Sequence, residues 1–212
     1  MQPLATNHDI EYPPAALLFA CIQTMGERRS NPVLELLNDV PAFVHGTKYP
    51  QPALAFGDNR WRSYYHNHSM ADADVREHGH FHLFTCLSDS GQDWAHLAAL
   101  AMDEEGQPLR WFVTNRWVTG SSWADRDSLL AAVDALAPAN EQDALRQWLA
   151  SLLKLYTTEL GDMLDARDAR ISDLLQSRSK DAVFDDRTLY ELACTPVDLA
   201  AKLTLKLTGE SS

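Results

Sequence analysis

The run His78-Gly79-His80-Phe81-His82 repeats histidine at every second position, and six of the eight histidines in the chain fall between His66 and His96. That spacing gathers imidazoles on one side only if the backbone is extended. Successive strand residues face opposite ways and advance about 3.3 Å each, so three such rings would line one face at roughly 6.6 Å intervals. The chain therefore has to build a sheet around this segment, and the sheet has to accommodate a row of titratable rings.

Sorting the segment by parity puts His78, His80, His82, Phe84 and Cys86 on one face. Glu77, Gly79, Phe81, Leu83, Thr85 and Leu87 fall on the other, mostly apolar face, which is expected to pack against helices. In a strand predicted over Trp61 to His68, Tyr64, His66 and His68 share a parity; over Trp94 to Met102, His96, Ala98, Leu100 and Met102 do. Opposed residues on antiparallel neighbours have Cβ atoms about 4.5–5.5 Å apart, so His66, His68 or His96 can meet the central histidines. Ala98 would leave room beside them for a bound molecule.

The expected ligand set is thus His78, His80 and His82, completed by His66, His68 or His96. Neutral imidazoles suit a divalent transition metal such as zinc, iron or copper, whereas magnesium and calcium prefer oxygen. Three protein ligands with an open fourth position is the arrangement of catalytic zinc. Glu77 and Asp74 are candidates for a carboxylate ligand, a hydrogen-bond partner or a general acid/base, although strict alternation turns Glu77 away from the histidine face. Against this stands the plainer reading, in which alternating polar residues mark a solvated strand face and single histidines are hydrogen-bonded core or surface residues.

Helical spacing of Leu17, Leu18, Cys21, Ile22 and Met25 predicts a helix over Pro13 to Arg29, opened by proline. Val33 to Leu37 is too short for its period to be read. Asp39 to Asn59, with three prolines and two glycines, reads as a long loop. Four strands follow, at Trp61 to His68, His78 to Leu87, Trp94 to Met102 and Leu109 to Arg116, most simply as an antiparallel meander. Ser122-Trp123-Ala124-Asp125 has the form of a capping box opening a helix to about Leu136. Asn140 is placed to cap a helix whose apolar period runs from Leu145 to Leu174 and which Gly161 is expected to bend. A last helix is expected from about Asp186 to Leu207, which Pro196 should kink or divide. The reading is one α+β domain over 1–212, with a histidine-bearing sheet at 61–120 and a helical layer at 121–207.

The net charge of -12, from 18 basic and 30 acidic residues, argues against a nucleic-acid partner, which needs clustered Lys and Arg. No segment approaches the roughly 20 apolar residues of a membrane span. Cys21, Cys86 and Cys194 are isolated, which suggests neither a disulfide framework nor a thiolate cage, and the start of the chain lacks signal-peptide character, so a cytoplasmic protein is expected. A small-molecule substrate or a second copy of the chain is the partner class left.

Asn115 and Arg116, where the fourth strand gives way to a helix, form a candidate anchor for a substrate carboxylate or phosphate. A loop-fixing role is the competing view. Glu159, Asp162, Asp165 and Asp168 recur every third residue beside Arg167 and Arg170, the pattern of a solvated helix face. There is no His-Glu-x-x-His, Gly-x-Ser-x-Gly, phosphate-binding loop or dinucleotide glycine pattern.

Taken together, Tyr64-Tyr65-His66-Asn67-His68, Glu77-His78-Gly79-His80-Phe81-His82, the His96 segment with Met102-Asp103, and Thr114-Asn115-Arg116-Trp117-Val118-Thr119-Gly120 resemble a bacterial family of uncharacterised proteins, domain of unknown function 6969. The resemblance covers Trp61 to Trp123 well and the helical remainder loosely; the N-terminal third has no such match. It implies a single grouped site of His66, His68, His78, His80, His82, His96 and Arg116, and no particular substrate. The functional expectation is a metal-dependent enzyme with Glu77 and Arg116 in catalytic roles. The alternatives are a non-catalytic metal sensor, chaperone or store, and a self-associating module whose histidines sense pH.

Overall fold

The computed structural model describes residues 12–67, 76–88 and 91–209. The chain opens with helices α1 (Pro14–Glu27) and α2 (Pro32–Leu37), then runs through strands β1 (Tyr49–Phe56), β2 (Trp61–His66), β3 (Gly79–Cys86), β4 (Trp94–Met102) and β5 (Pro108–Thr114). Helices α3 (Arg116–Thr119), α4 (Arg126–Asp134), α5 (Ala144–Leu155), α6 (Thr157–Leu175) and α7 (Lys180–Phe184) precede the last strand, β6 (Glu191–Pro196), and α8 (Leu199–Thr208). All six strands form one antiparallel sheet in sequence order. The class is α+β, as expected, with the four predicted strands at its centre as β2 to β5.

Two strands escaped the sequence reading, and both lie at margins of the sheet. β1 sits inside the segment read as a loop. Its Pro50 and Pro52 lack the N–H that an inner strand must donate, and an edge strand tolerates that loss. β6 takes up the part of the expected last helix that ends at Pro196, and Arg170 of α6 donates to the carbonyls of Glu191 and Leu192. The predicted long helix is two helices that meet at Tyr156, not one bent at Gly161. Its cap is Asp143, which accepts from Arg146 N, rather than Asn140, and Asp125 rather than Ser122 caps α4.

The helices lie on one face of the sheet. Trp61 and Tyr65 of β2, Phe81 and Leu83 of β3, and Leu97, Leu100 and Met102 of β4 share a continuous apolar core with Leu18 and Met25 of α1 and Trp148 and Leu149 of α5. Burying one large apolar side chain contributes about 1.5–3 kcal/mol, so this face supplies most of the stabilisation of the strands. β3 is nonetheless buried at every position, on both faces. A strand of that kind can carry imidazoles inward only where each finds a partner.

Two interruptions set which side chains reach which face. At the start of β3, His78 donates its backbone N–H to Met102 O and Gly79 is paired with the same residue, so two residues oppose one, as in a β-bulge. In β4, Leu83 pairs with Ala98 and Phe84 with His96, leaving Leu97 as an extra residue. Alternation slips by one position at each place.

Gly79 has no room for a side chain. A Cβ there would lie 2.7 Å from Tyr65 Oη and 2.8 Å from the His66 carbonyl, whereas one at Gly26 in α1 would meet nothing within 4 Å. Gly79→Ala is therefore expected to cost about 1–3 kcal/mol, and Gly26→Ala to stabilise by up to ~1 kcal/mol through helix propensity. Urea titrations of both variants beside the unchanged protein test the contrast; a neutral Gly79→Ala would contradict the packing described.

Candidate metal centre

On the face of the sheet away from the helical core, β2 contributes Tyr64 and His66, and β3 contributes His80, His82 and Phe84. His66 is paired directly with His80 across the β2–β3 ladder, and Tyr64 with His82. His66 Nε2 lies 3.0 Å from His80 Nε2 and 3.1 Å from His82 Nε2. One ligand atom from each of His66, His80 and His82 lies within 4.8 Å of the others, a grouping that can hold a metal ion. Nitrogens bound to one tetrahedral zinc at 2.0–2.1 Å stand about 3.3 Å apart, so the two spacings from His66 are already near coordination distance.

The rear nitrogens of the two buried rings are each tied down. His80 Nδ1 is 2.7 Å from Glu77 Oε1, and a carboxylate can only accept, so the ring carries its proton on Nδ1 and turns an Nε2 lone pair to the centre. His82 Nδ1 is 2.9 Å from His96 Nε2. His96 in turn hydrogen-bonds the Ala98 backbone in the sense that favours a proton on the ring. With His96 Nε2 accepting from His82 Nδ1, a second Nε2 lone pair faces the centre. His66 Nε2 can offer at most one N–H to these two acceptors. A cation satisfies all three nitrogens where a single proton cannot.

Burial reinforces this protonation state. His82 is held well below the ordinary imidazole value of 6.5, chiefly by desolvation and then by its neighbours His96, His80, His66 and Lys48. His96 is lowered to about 3, first by burial and next by the charge of Arg167. Arg167 is itself a surprise: it was expected on a solvated face, yet it is buried, with its guanidinium 4.4 Å from the Trp123 ring and donating to Ala124 O. The signal was in the sequence, because Arg167 falls in the helical stripe of Leu160, Leu164 and Ile171. The acidic ridge lies toward solvent as expected, Asp162 and Asp165 being exposed.

The site differs from the expected one in membership. His78 does not face the triad with His80 and His82: its Nδ1 lies 2.8 Å from Tyr65 Oη, and its ring stacks on Phe43 and Tyr65 on the core side. The slip of alternation at the start of β3 turns it there. The same slip brings Glu77 to His80, against strict alternation. His66 sits in the triad, His96 stands behind His82 and hydrogen-bonds it, and His68 and Asp74 lie outside the described residues. Because of the extra residue at Leu97, the alanines on the histidine face are Ala99 and Ala101, packed with Phe112, and Ala98 belongs to the opposite core. Arg116 is not part of the triad; a small pocket that it lines reaches His96 but none of the three histidines. Arg116 pairs with Asp185 at 2.7 Å and lines a cavity of about 680 Å³ with Trp117, Trp123 and Phe184. Asn115 fixes this loop: its side chain accepts from Arg116 N and donates to Val183 O.

Sequence reasoning missed Arg110 altogether. It comes within 3.6 Å of Glu77 Oε2 and 2.6 Å of Glu191 Oε2, so Glu77 is held between a guanidinium and an imidazole. Only the strand order, which sets β5 two places from β3, could have revealed it.

A family model described as a domain of unknown function (DUF6969) matches residues 14–197. The chain belongs to this family. The DUF6969 match runs from the first residue of α1 past the end of β6, so it takes in the N-terminal helices, which the sequence reading left without a resemblance, together with every residue of the triad and its partners. No curated protein and no solved structure matches the chain.

The lowered pKa values have a consequence for stability in the metal-free state. The unfolded chain takes up protons at His82 and His96 as pH falls through 6.5, while the folded protein resists until much lower pH, about 3 for His96. Their contribution is complete above 6.5 and is lost as pH falls from there toward 3. With a chelator present, the urea midpoint is expected to drop steadily from about pH 7.5 to about pH 5, and His96→Gln should make that dependence shallower. An equally steep dependence in the variant would show that His96 is not buried in its neutral form.

Proposed function

We propose that the chain binds one divalent transition-metal ion through Nε2 of His66, His80 and His82, and that the ion is the reactive centre of a metal-dependent enzyme acting on a small molecule. The observation that carries this reading is the convergence of the three ring nitrogens together with the partners that fix the rear of two of them, Glu77 on His80 and His96 on His82. Buried neutral histidines without a ligand would need an acceptor for one nitrogen and a donor for the other, and nothing would require three lone-pair positions to face one point. Three protein donors would leave a coordination position open to a fourth ligand, and the partly buried His66 marks the accessible side of the cluster. Zinc, iron and copper all suit such a donor set. A metal in this setting supplies Lewis acidity and an acidified water. Glu77 and His96 would orient the ligands and raise their basicity.

A cytoplasmic setting belongs to the same proposal and is supported by the free thiols Cys21, Cys86 and Cys194, which suit a reducing compartment. Among the described residues no helix is long and apolar enough to cross a membrane. The alternative of a non-catalytic sensor, chaperone or store draws on the burial of His80 and His82, at 2% and 1% exposure, since a carrier has no need of an accessible ligand set. Displacement of a metal-bound water by azide, followed in a cobalt-loaded sample, separates an open catalytic site from a closed one.

Elemental analysis of untagged protein is expected to give one ion per chain, with anomalous scattering at the triad. Alanine at His66, His80 or His82 should abolish stoichiometric binding, whereas His78→Ala should retain it. Glu77→Gln and His96→Gln should weaken affinity by roughly 10–100-fold. Retained metal in a His80→Ala, His82→Ala double variant would refute the site.

A further inference from the structure

One exposed cation stands beside the triad of a chain that is acidic overall. Against a net charge of -12, Lys48, just ahead of β1, places its Nζ 4.6 Å from the centre of the Tyr64 ring. That ring lies 5.1 Å from His82 and 5.5 Å from His66, both measured between ring centres. The ammonium group therefore stands within about 10 Å of the triad, one Debye length at 0.1 M salt. Lys48 is exposed and makes no ion pair among the described residues. On the same face Arg110 is held by Glu77 and Glu191, which balance its charge, and Arg62 lies over the Trp94 ring at 3.9 Å.

We propose that the small molecule bound at the open position of the metal centre is an oxyanion, a carboxylate or phosphate, and that Lys48 is the residue that selects it. The inference rests on the metal-binding reading above. With three neutral imidazoles as ligands, a divalent ion keeps its full charge of about two units, and Lys48 adds one more on the partly exposed side where His66 and Tyr64 lie. The Tyr64 ring holds the ammonium by a cation–π contact and keeps it beside the cluster, while its exposure leaves it free to meet a second oxygen of the ligand. A neutral substrate would gain nothing from that arrangement; an anion with one oxygen on the metal and another toward Lys48 is attracted by both. The span from triad to ammonium suits a molecule of a few heavy atoms.

The test uses the cobalt-loaded protein, whose visible absorption reports on the ligand sphere, titrated separately with acetate and with inorganic phosphate at constant ionic strength. At least one oxyanion is expected to shift the bands saturably, and the stronger of the two names the ligand class. Lys48→Met should weaken that binding by about tenfold, the order expected for loss of one charge-assisted contact, and Lys48→Arg should restore most of it, with cobalt content unchanged in both. Cobalt that fails to bind overturns the metal centre itself. Cobalt that binds while the bands ignore both anions, or shift with equal affinity in Lys48→Met, overturns the role of Lys48 and leaves the metal centre standing.

Discussion

An imidazole buried on a sheet must place the proton of one nitrogen and the lone pair of the other, and the arrangement of this site follows from how that demand is met. Glu77 and His96 take the Nδ1 protons of His80 and His82, so both Nε2 atoms are left as acceptors facing His66. An unpaired polar group in such a place costs about 1–3 kcal/mol. The partners are therefore part of the fold as much as of the site. Each has its own support: Arg110 stands beside Glu77, and the Ala98 backbone hydrogen-bonds His96.

The apolar face of the sheet makes this placement durable. Tyr65, Phe81 and Leu83 point into the helical layer from the same strands that carry the triad, and all three are fully buried. A slip of one residue in register would exchange the histidines for these side chains and expose the core, so the packing energy of one face fixes the geometry of the other. Preorganisation of the ring nitrogens is thus a by-product of ordinary core packing.

Much of this was legible in the sequence. Alternation alone located four central strands, the face carrying His80 and His82, and the reach of His66 across to it. The rest depended on interruptions that alternation does not announce. A glycine within a strand, such as Gly79, can mark a bulge, whereas Leu97 gives no such sign; the first interruption turns His78 away and brings Glu77 in, and the second puts His96 beside His82 and exchanges Ala98 for Ala99. Pro50 and Pro52 argued against a strand at β1 because the rule that excludes proline applies to inner strands, and position in a sheet is invisible to local sequence. Arg167 shows the reverse failure: its helical position said buried, and its chemistry was allowed to outvote it.

The two margins of the sheet have a consequence of a different kind. An open six-stranded sheet ends in two rows of backbone groups that could recruit a strand from another molecule. On one margin the prolines of β1 withhold donors, and on the other the Arg170 side chain occupies the Glu191 and Leu192 carbonyls. Fibrillar growth by edge-to-edge addition is obstructed at both ends, which lets the chain keep an all-buried central strand rich in aromatic and aliphatic residues without that strand becoming a template for aggregation.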